Sequence, residues 1–224
     1  MLLLLSIVTG VLIGRRPFLL GSGLISLGAN DLQLSASSDS SASNGRLQQE
    51  EDDEQALIAN TPSTRRVRYY GPIDSKSLLS LNSVLCNMAE ESNEPIHLHI
   101  QSAGGELIPA LYTSDLITSL PLEVHTYVDG LCASAATLLA VAGKVRHMTG
   151  NSIYLIHQLS TAHSGKYNDL TQALKNSEIL MENLINIYLK HTNLKRPELD
   201  QLLSQDKYLN AHTCLKYGLI DVID

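Results

Sequence analysis

A serine, a histidine and a pair of adjacent glycines set the chemical question in this sequence. Ser134 lies in VDGLCASAATLLAVAG (128–143), just after an Asp-Gly pair, where a helix rich in small residues is expected to begin. A serine hydroxyl attacks a carbonyl only with a base nearby, a group that orients the base, and donors for the oxyanion. The start of a helix offers free N–H groups and the positive end of the helix dipole, which suit a developing negative charge. Capping the backbone is the commoner use of a serine at such a place. The segment also departs from the G-x-S-x-G elbow, with Cys132 and Ala136 where glycines belong. QSAGGEL (101–107) exposes the N–H groups of Gly104 and Gly105 at the carboxyl end of a strand, where open α/β sheets bind ligands. A plain turn reads equally well there. His157 closes the apolar strand SIYLIHQL, but it is one of 8 histidines, and a core imidazole is the commoner case. Asp206, in SQDKYLNA, is a weaker candidate still when taken alone.

The elements that must position these residues follow from hydrophobic periodicity. RRVRYYG reads as a strand ending at Gly71–Pro72, and Asp74 or Ser75 can cap a helix with Leu78, Leu81, Leu85 and Met88 on one face. PIHLHIQ alternates as a strand with one polar face, and a helix follows the glycine pair. EVHTYV, KVRHM and SIYLIH are further strands. The stretch carrying Ser134 is expected to be helical. A long helix over 169–191 is expected to bury Leu170, Leu174, Leu184 and Tyr188. Pro197 opens another helix, and AHTCLKYG ends on Gly218 as a C-cap. Strands alternating with helices imply βαβ units and a largely parallel sheet.

Composition bounds the remaining possibilities. A chain of 224 residues with 44 % hydrophobic residues, no Trp and a single Phe is long enough for one aliphatic core. A formal net charge of −7 argues against nucleic acid and anionic membranes as partners. Three cysteines (Cys86, Cys132, Cys214) without a CxxC pair argue against a disulfide framework or a zinc site. Ahead of the periodic region, the apolar run at 2–13 is too short for a bilayer span, which takes about 20 residues, and resembles part of a targeting segment. SASSDSSASNG and the acidic run EEDDE follow it, with too little apolar surface to order themselves. Residues 1–63 are therefore expected to be a targeting segment and disordered linker, and 64–224 the domain. No membrane span is expected in the mature protein.

RYYGPID, IHLHIQSAGGEL, VDGLCASAATLLAVAG, SIYLIHQL, QDKYLNA and LKYGLID together, in this order and spacing, resemble the ClpP family, the proteolytic subunits of ATP-dependent Clp proteases. The likeness covers roughly residues 65–224. It implies an α/β fold, a ClpP/crotonase-like spiral of βαβ units with a helix-and-strand handle. It also implies a serine endopeptidase. By resemblance Ser134 matches the nucleophile, His157 the general base and Asp206 the carboxylate that orients it. Gly105 and Ala135 match the positions whose backbone N–H groups form the oxyanion hole. The expected partners are homo- or hetero-oligomeric ClpP-like rings, an AAA+ unfoldase and unfolded polypeptide. No cofactor is expected on this chain, since ATP is used by the partner ATPase. The expected location is an organelle, the plastid stroma ahead of the mitochondrial matrix.

Several positions depart from the family's pattern. Ala135–Ala136 stand where Met-Gly is usual, Leu159 replaces a proline after His-Gln, and the handle STAHSGKYND keeps only Gly165. These departures touch assembly surfaces, so the chain is expected to need partner subunits. One alternative is a catalytically weak structural subunit of a mixed Clp ring. Another is a crotonase-like acyl-CoA enzyme with Glu106 as its carboxylate. The last, Cys132 as a thiol nucleophile, is disfavoured because its side chain should point away from that of Ser134.

Overall fold

The computed structural model describes residues 57–224. The targeting segment and most of the linker expected over 1–63 lie outside the described residues. The last part of that stretch does not match the expectation. Leu57–Thr61 forms strand β1, which pairs antiparallel with β2 (Arg66–Tyr70), Leu57 opposite Tyr70 and Thr61 opposite Arg66. Backbone pairing accounts for the difference, because β1 satisfies its N–H and C=O groups on the sheet edge although its burial is only partial. Strand β1 thus lies ahead of the expected boundary at 64.

The remaining elements follow in βαβ order. Helix α1 (Ser75–Glu91) starts at Asp74, whose carboxylate accepts from the Ser77 N–H at 2.8 Å, and it buries Leu78, Leu81, Leu85 and Met88 as the spacing requires. Then come β3 (Ile96–Ser102), α2 (Leu107–Ser119), β4 (Val124–Ala133), the short α3 (Ala136–Val141), β5 (Val145–Met148) and β6 (Ile153–Leu155). The chain closes with α4 (Tyr167–His191), α5 (Arg196–Leu203), β7 (Leu209–Asn210), α6 (Ala211–Tyr217) and β8 (Val222–Ile223). Gly218 ends α6 in the left-handed region at φ 68°, as the C-cap reading requires. Among the described residues the strands form one sheet, ordered β1-β2-β3-β4-β5-β8, with β6 on β4 and β7 on β6. The pairings β2–β3, β3–β4, β4–β5, β4–β6 and β5–β8 are parallel.

Strand β4 organises the rest and corrects one expectation. Val128–Ala133 is strand, not helix. The Asp129–Gly130 pair kinks the strand without ending it: Gly130 has φ +81°, and its N–H donates to Ser152 Oγ at 2.7 Å. Before the kink β4 pairs with β5, and beyond it Leu131–Ala133 pairs with β6. The small apolar residues suit a strand buried beside others as well as they suit a helix, and the ladder partners decide.

Alternation along the strands separates two faces. Ile96, Leu98 and Ile100 of β3 are fully buried, whereas His97 and His99 point the other way. On that second face Tyr127 stacks on His99 at 4.5 Å and on His147 at 4.3 Å, and His97 meets His125 edge-on. Helix α4 also departs from expectation. Leu184 and Tyr188 are buried, but Leu170 and Leu174 are 44 % and 62 % exposed. The N-terminal half of the helix carries its apolar stripe where no described element covers it.

Candidate active site

Ser134 is the first of the two residues between β4 and α3, directly ahead of Ala135, the N-cap of the helix. Its φ is +56°, one of two positive values among non-glycine residues described. A side chain in this region costs of order 1–3 kcal/mol and persists only where its surroundings over-determine it. Here the Ser134 N–H donates to Leu155 O of β6 at 2.9 Å, and its carbonyl accepts from the Thr137 N–H at 3.0 Å. The turn is a sharp strand-to-helix elbow despite lacking the G-x-S-x-G sequence. Ser134 precedes the helix and does not belong to its first turn, so a simple capping role does not describe it. Its side chain is partly exposed.

The glycine pair is required by close approach. A Cβ on Gly104 would lie 2.5 Å from Ser134 Cβ and 2.7 Å from the Ala133 carbonyl oxygen. One on Gly105 would lie 2.0 Å from the Ile73 carbonyl oxygen. Gly104 therefore admits the elbow on one side, and Gly105 admits the strand-like bridge to Ile73 on the other. The neighbouring N–H groups are occupied, Gly104 donating to Ser102 Oγ at 3.1 Å and Glu106 to Ile73 O at 2.8 Å. Among the described residues the Gly105 and Ala135 N–H groups have no backbone or side-chain acceptor. Both residues line a cavity of about 110 Å³ together with Ser134, His157, Leu159 and Leu184. Four of the five expected site residues thus meet in one cleft.

The fifth, Asp206, does not line this cleft. His157 follows β6, and its Nδ1–H donates to the Gln158 carbonyl at 2.7 Å, which leaves Nε2 as the ring's acceptor. No hydrogen bond joins His157 to Ser134 or to Asp206 in this structure. Asp206 is exposed in the stretch between α5 and β7. The antiparallel register of β6 and β7, Tyr154 opposite Leu209, runs towards His157 and Asp206 when continued by three residues on each strand. The Gln158 N–H instead donates to Leu203 O at 2.8 Å, drawing the histidine segment to the end of α5. Catalytic hydrogen bonds of unliganded enzymes are often long and tighten with substrate.

The competing candidates lie elsewhere. The Glu106 carboxylate accepts from Ser75 Oγ at 2.5 Å at the start of α1 and does not line the cavity. Cys132 is wholly buried, and burial pushes its thiol far above the usual range, so it cannot supply a thiolate to the cleft. Among the described residues no three His, Cys, Asp or Glu side chains cluster as metal ligands would, and no helix is long and apolar enough to cross a membrane. Sequence reasoning saw the glycine pair only as a source of N–H groups and missed that Gly104 is the surface on which Ser134 rests. Two adjacent glycines directly after a strand were the signal.

Comparison with known proteins adds two findings. The model of the family described as Clp protease matches residues 48–224. The fold is similar to that of a solved ClpP1 point mutant from Listeria monocytogenes, with a TM-score of 0.67 and 22 % identity. The match covers 73 % of this chain and 92 % of the bacterial one.

Proposed function

Because the chain belongs to the Clp protease family, with the ClpP/crotonase-like fold, we propose that it is a serine endopeptidase subunit of an ATP-dependent Clp protease. The observation that carries this reading is the strained Ser134 elbow sharing one cleft with His157 and the Gly105 and Ala135 N–H groups. In the proposed reaction His157 Nε2 takes the proton of the Ser134 hydroxyl as its oxygen attacks the scissile carbonyl. The two N–H groups hold the oxyanion, the imidazolium then protonates the departing amine, and water, activated by the same histidine, hydrolyses the acyl-serine. In this reaction Asp206 replaces the Gln158 carbonyl as the acceptor of the His157 Nδ1–H hydrogen bond, which orients the ring and stabilises the imidazolium. The substrate is unfolded polypeptide delivered by an AAA+ unfoldase, which consumes the ATP; this chain takes no cofactor. Family members assemble as oligomeric rings, and the exposed apolar half of α4 supports contact with further subunits. We place the protein in an organelle, in the plastid stroma ahead of the mitochondrial matrix, on the apolar run at 2–13 and the Ser-rich stretch after it.

A second reading has one observation in its favour. Among the described residues Asp206 has no side-chain partner, and His157 is turned to a backbone carbonyl, which suits a catalytically weak subunit of a mixed ring. Labelling with a fluorophosphonate probe tests both. A peptidase is labelled at Ser134 and loses labelling in Ser134→Ala. His157→Ala and Asp206→Asn each slow it by orders of magnitude, and the double variant is no slower than the worse single one. Equal labelling of wild type and Ser134→Ala removes the serine from the reaction. No labelling, even with paralogous subunits present, leaves the structural subunit.

A further inference from the structure

Beneath the Ser134 elbow lies a chain of buried hydroxyls that the reaction itself does not use. Thr137 Oγ1 donates to the Ser134 carbonyl at 2.5 Å, in addition to the Thr137 N–H bond to the same oxygen. With its only proton committed there, Thr137 Oγ1 must accept from the Tyr188 hydroxyl, which is also 2.5 Å away. The Tyr154 hydroxyl donates to the Thr137 carbonyl at 3.1 Å. Thr137 and Tyr154 are fully buried and Tyr188 is 1 % exposed. A threonine bonding back to a carbonyl three residues earlier is common at helix starts and would by itself carry no weight. Here the accepting carbonyl belongs to the one strained residue of the site, and the threonine hydroxyl is fixed from the far side by a residue 51 positions on. Burial drives both tyrosines well above the ordinary phenol range, so each stays a donor at any working pH.

We propose that Thr137 and Tyr188 form a positioning latch: the Tyr188 hydroxyl orients that of Thr137, which holds the Ser134 carbonyl and thereby keeps the nucleophile in its left-handed conformation. The latch rests on the reading of Ser134 as nucleophile. It also joins the site to α4, the helix whose other half carries the exposed Leu170 and Leu174, so a displacement of α4 reaches the Ser134 carbonyl directly. None of these residues touches substrate; they act through the serine.

Three variants of the full chain test the latch, with probe labelling at Ser134, peptide turnover, melting temperature and native mass as readouts. Thr137→Val keeps the shape and removes the relay, so kcat and the labelling rate fall about tenfold while KM changes less than about twofold, as expected for a misplaced nucleophile. Thr137→Ser restores the hydroxyl and returns both rates to within about twofold of wild type. Tyr188→Phe removes one buried hydroxyl and keeps the ring, and slows labelling by about threefold. This variant carries the test if Thr137→Val does not fold. Wild-type rates in Thr137→Val or in Tyr188→Phe overturn the latch, as does equal loss in Thr137→Ser and Thr137→Val. A wild-type chain that the probe does not label at Ser134 overturns the serine reading first, and the latch with it.

Discussion

Gly104→Ala probes whether the glycine pair serves the elbow or merely makes a turn. The new Cβ would sit 2.5 Å from Ser134 Cβ, 2.7 Å from the Ala133 carbonyl oxygen and 3.1 Å from the Ala135 nitrogen. These neighbours are backbone atoms or a Cβ, with no flexible side-chain end to swing aside. Restoring an ordinary 3.4 Å contact from 2.5 Å requires a displacement of about 0.9 Å. A nucleophile misplaced by about 1 Å can lose on the order of 10²-fold in rate. The φ of +98° adds strain for alanine, about 1–2 kcal/mol. In a domain of this size that lowers the melting temperature by only about 2–8 °C. The expected signature is therefore a folded protein of unchanged native mass whose kcat and Ser134 labelling fall about a hundredfold. Gly150→Ala is the control, because its Cβ would meet only the Asp224 carbonyl oxygen at 4.0 Å. Stopped-flow labelling and fluorogenic-peptide turnover, beside a thermal melt, read all three quantities. A Gly104→Ala protein that is folded and turns over at the wild-type rate would refute the packing argument.

The histidine face gives a pH dependence of definite sign. Burial, then the neighbouring His125, His99, Arg66 and His147, lowers the His97 pKa below its ordinary value. The folded state therefore binds that proton less readily than the unfolded state, and stability falls as pH drops below about 6.5, with the loss complete below the lowered value. Thermal melts from pH 8 to 5 should show this decline, shallower in His97→Gln; identical slopes would exclude His97 as the source. A chain starting at residue 57 should melt like the full-length protein, whereas one starting at 65 loses β1 and the packing of Ile58 and should melt several degrees lower. Leu174→Asp places a charge on the uncovered apolar stripe of α4; native mass spectrometry should show smaller assemblies than wild type, with the monomer's melting temperature unchanged.

The buried faces of α1 and β3 followed from periodicity and the Gly218 cap from its glycine, because each is encoded within a few consecutive residues, while the alternation of strands with helices implied the parallel sheet. The ordered set of short motifs was enough to identify the family, and it picked out Ser134, His157, Asp206, Gly105 and Ala135 together, of which all but Asp206 line one cleft. Helix or strand at 128–133 was not legible, since small apolar residues fit both and only the ladder to β6 chooses. The exposure of Leu170 and Leu174 was equally hidden: an apolar stripe specifies that something should cover it, not whether this chain supplies the cover. The left-handed Ser134, the approach of Gly104 and the link from Thr137 to Tyr188 belong to the tertiary structure alone. Each joins residues far apart in the chain, and such distances are fixed by how the sheet and α4 pack. No local pattern records them.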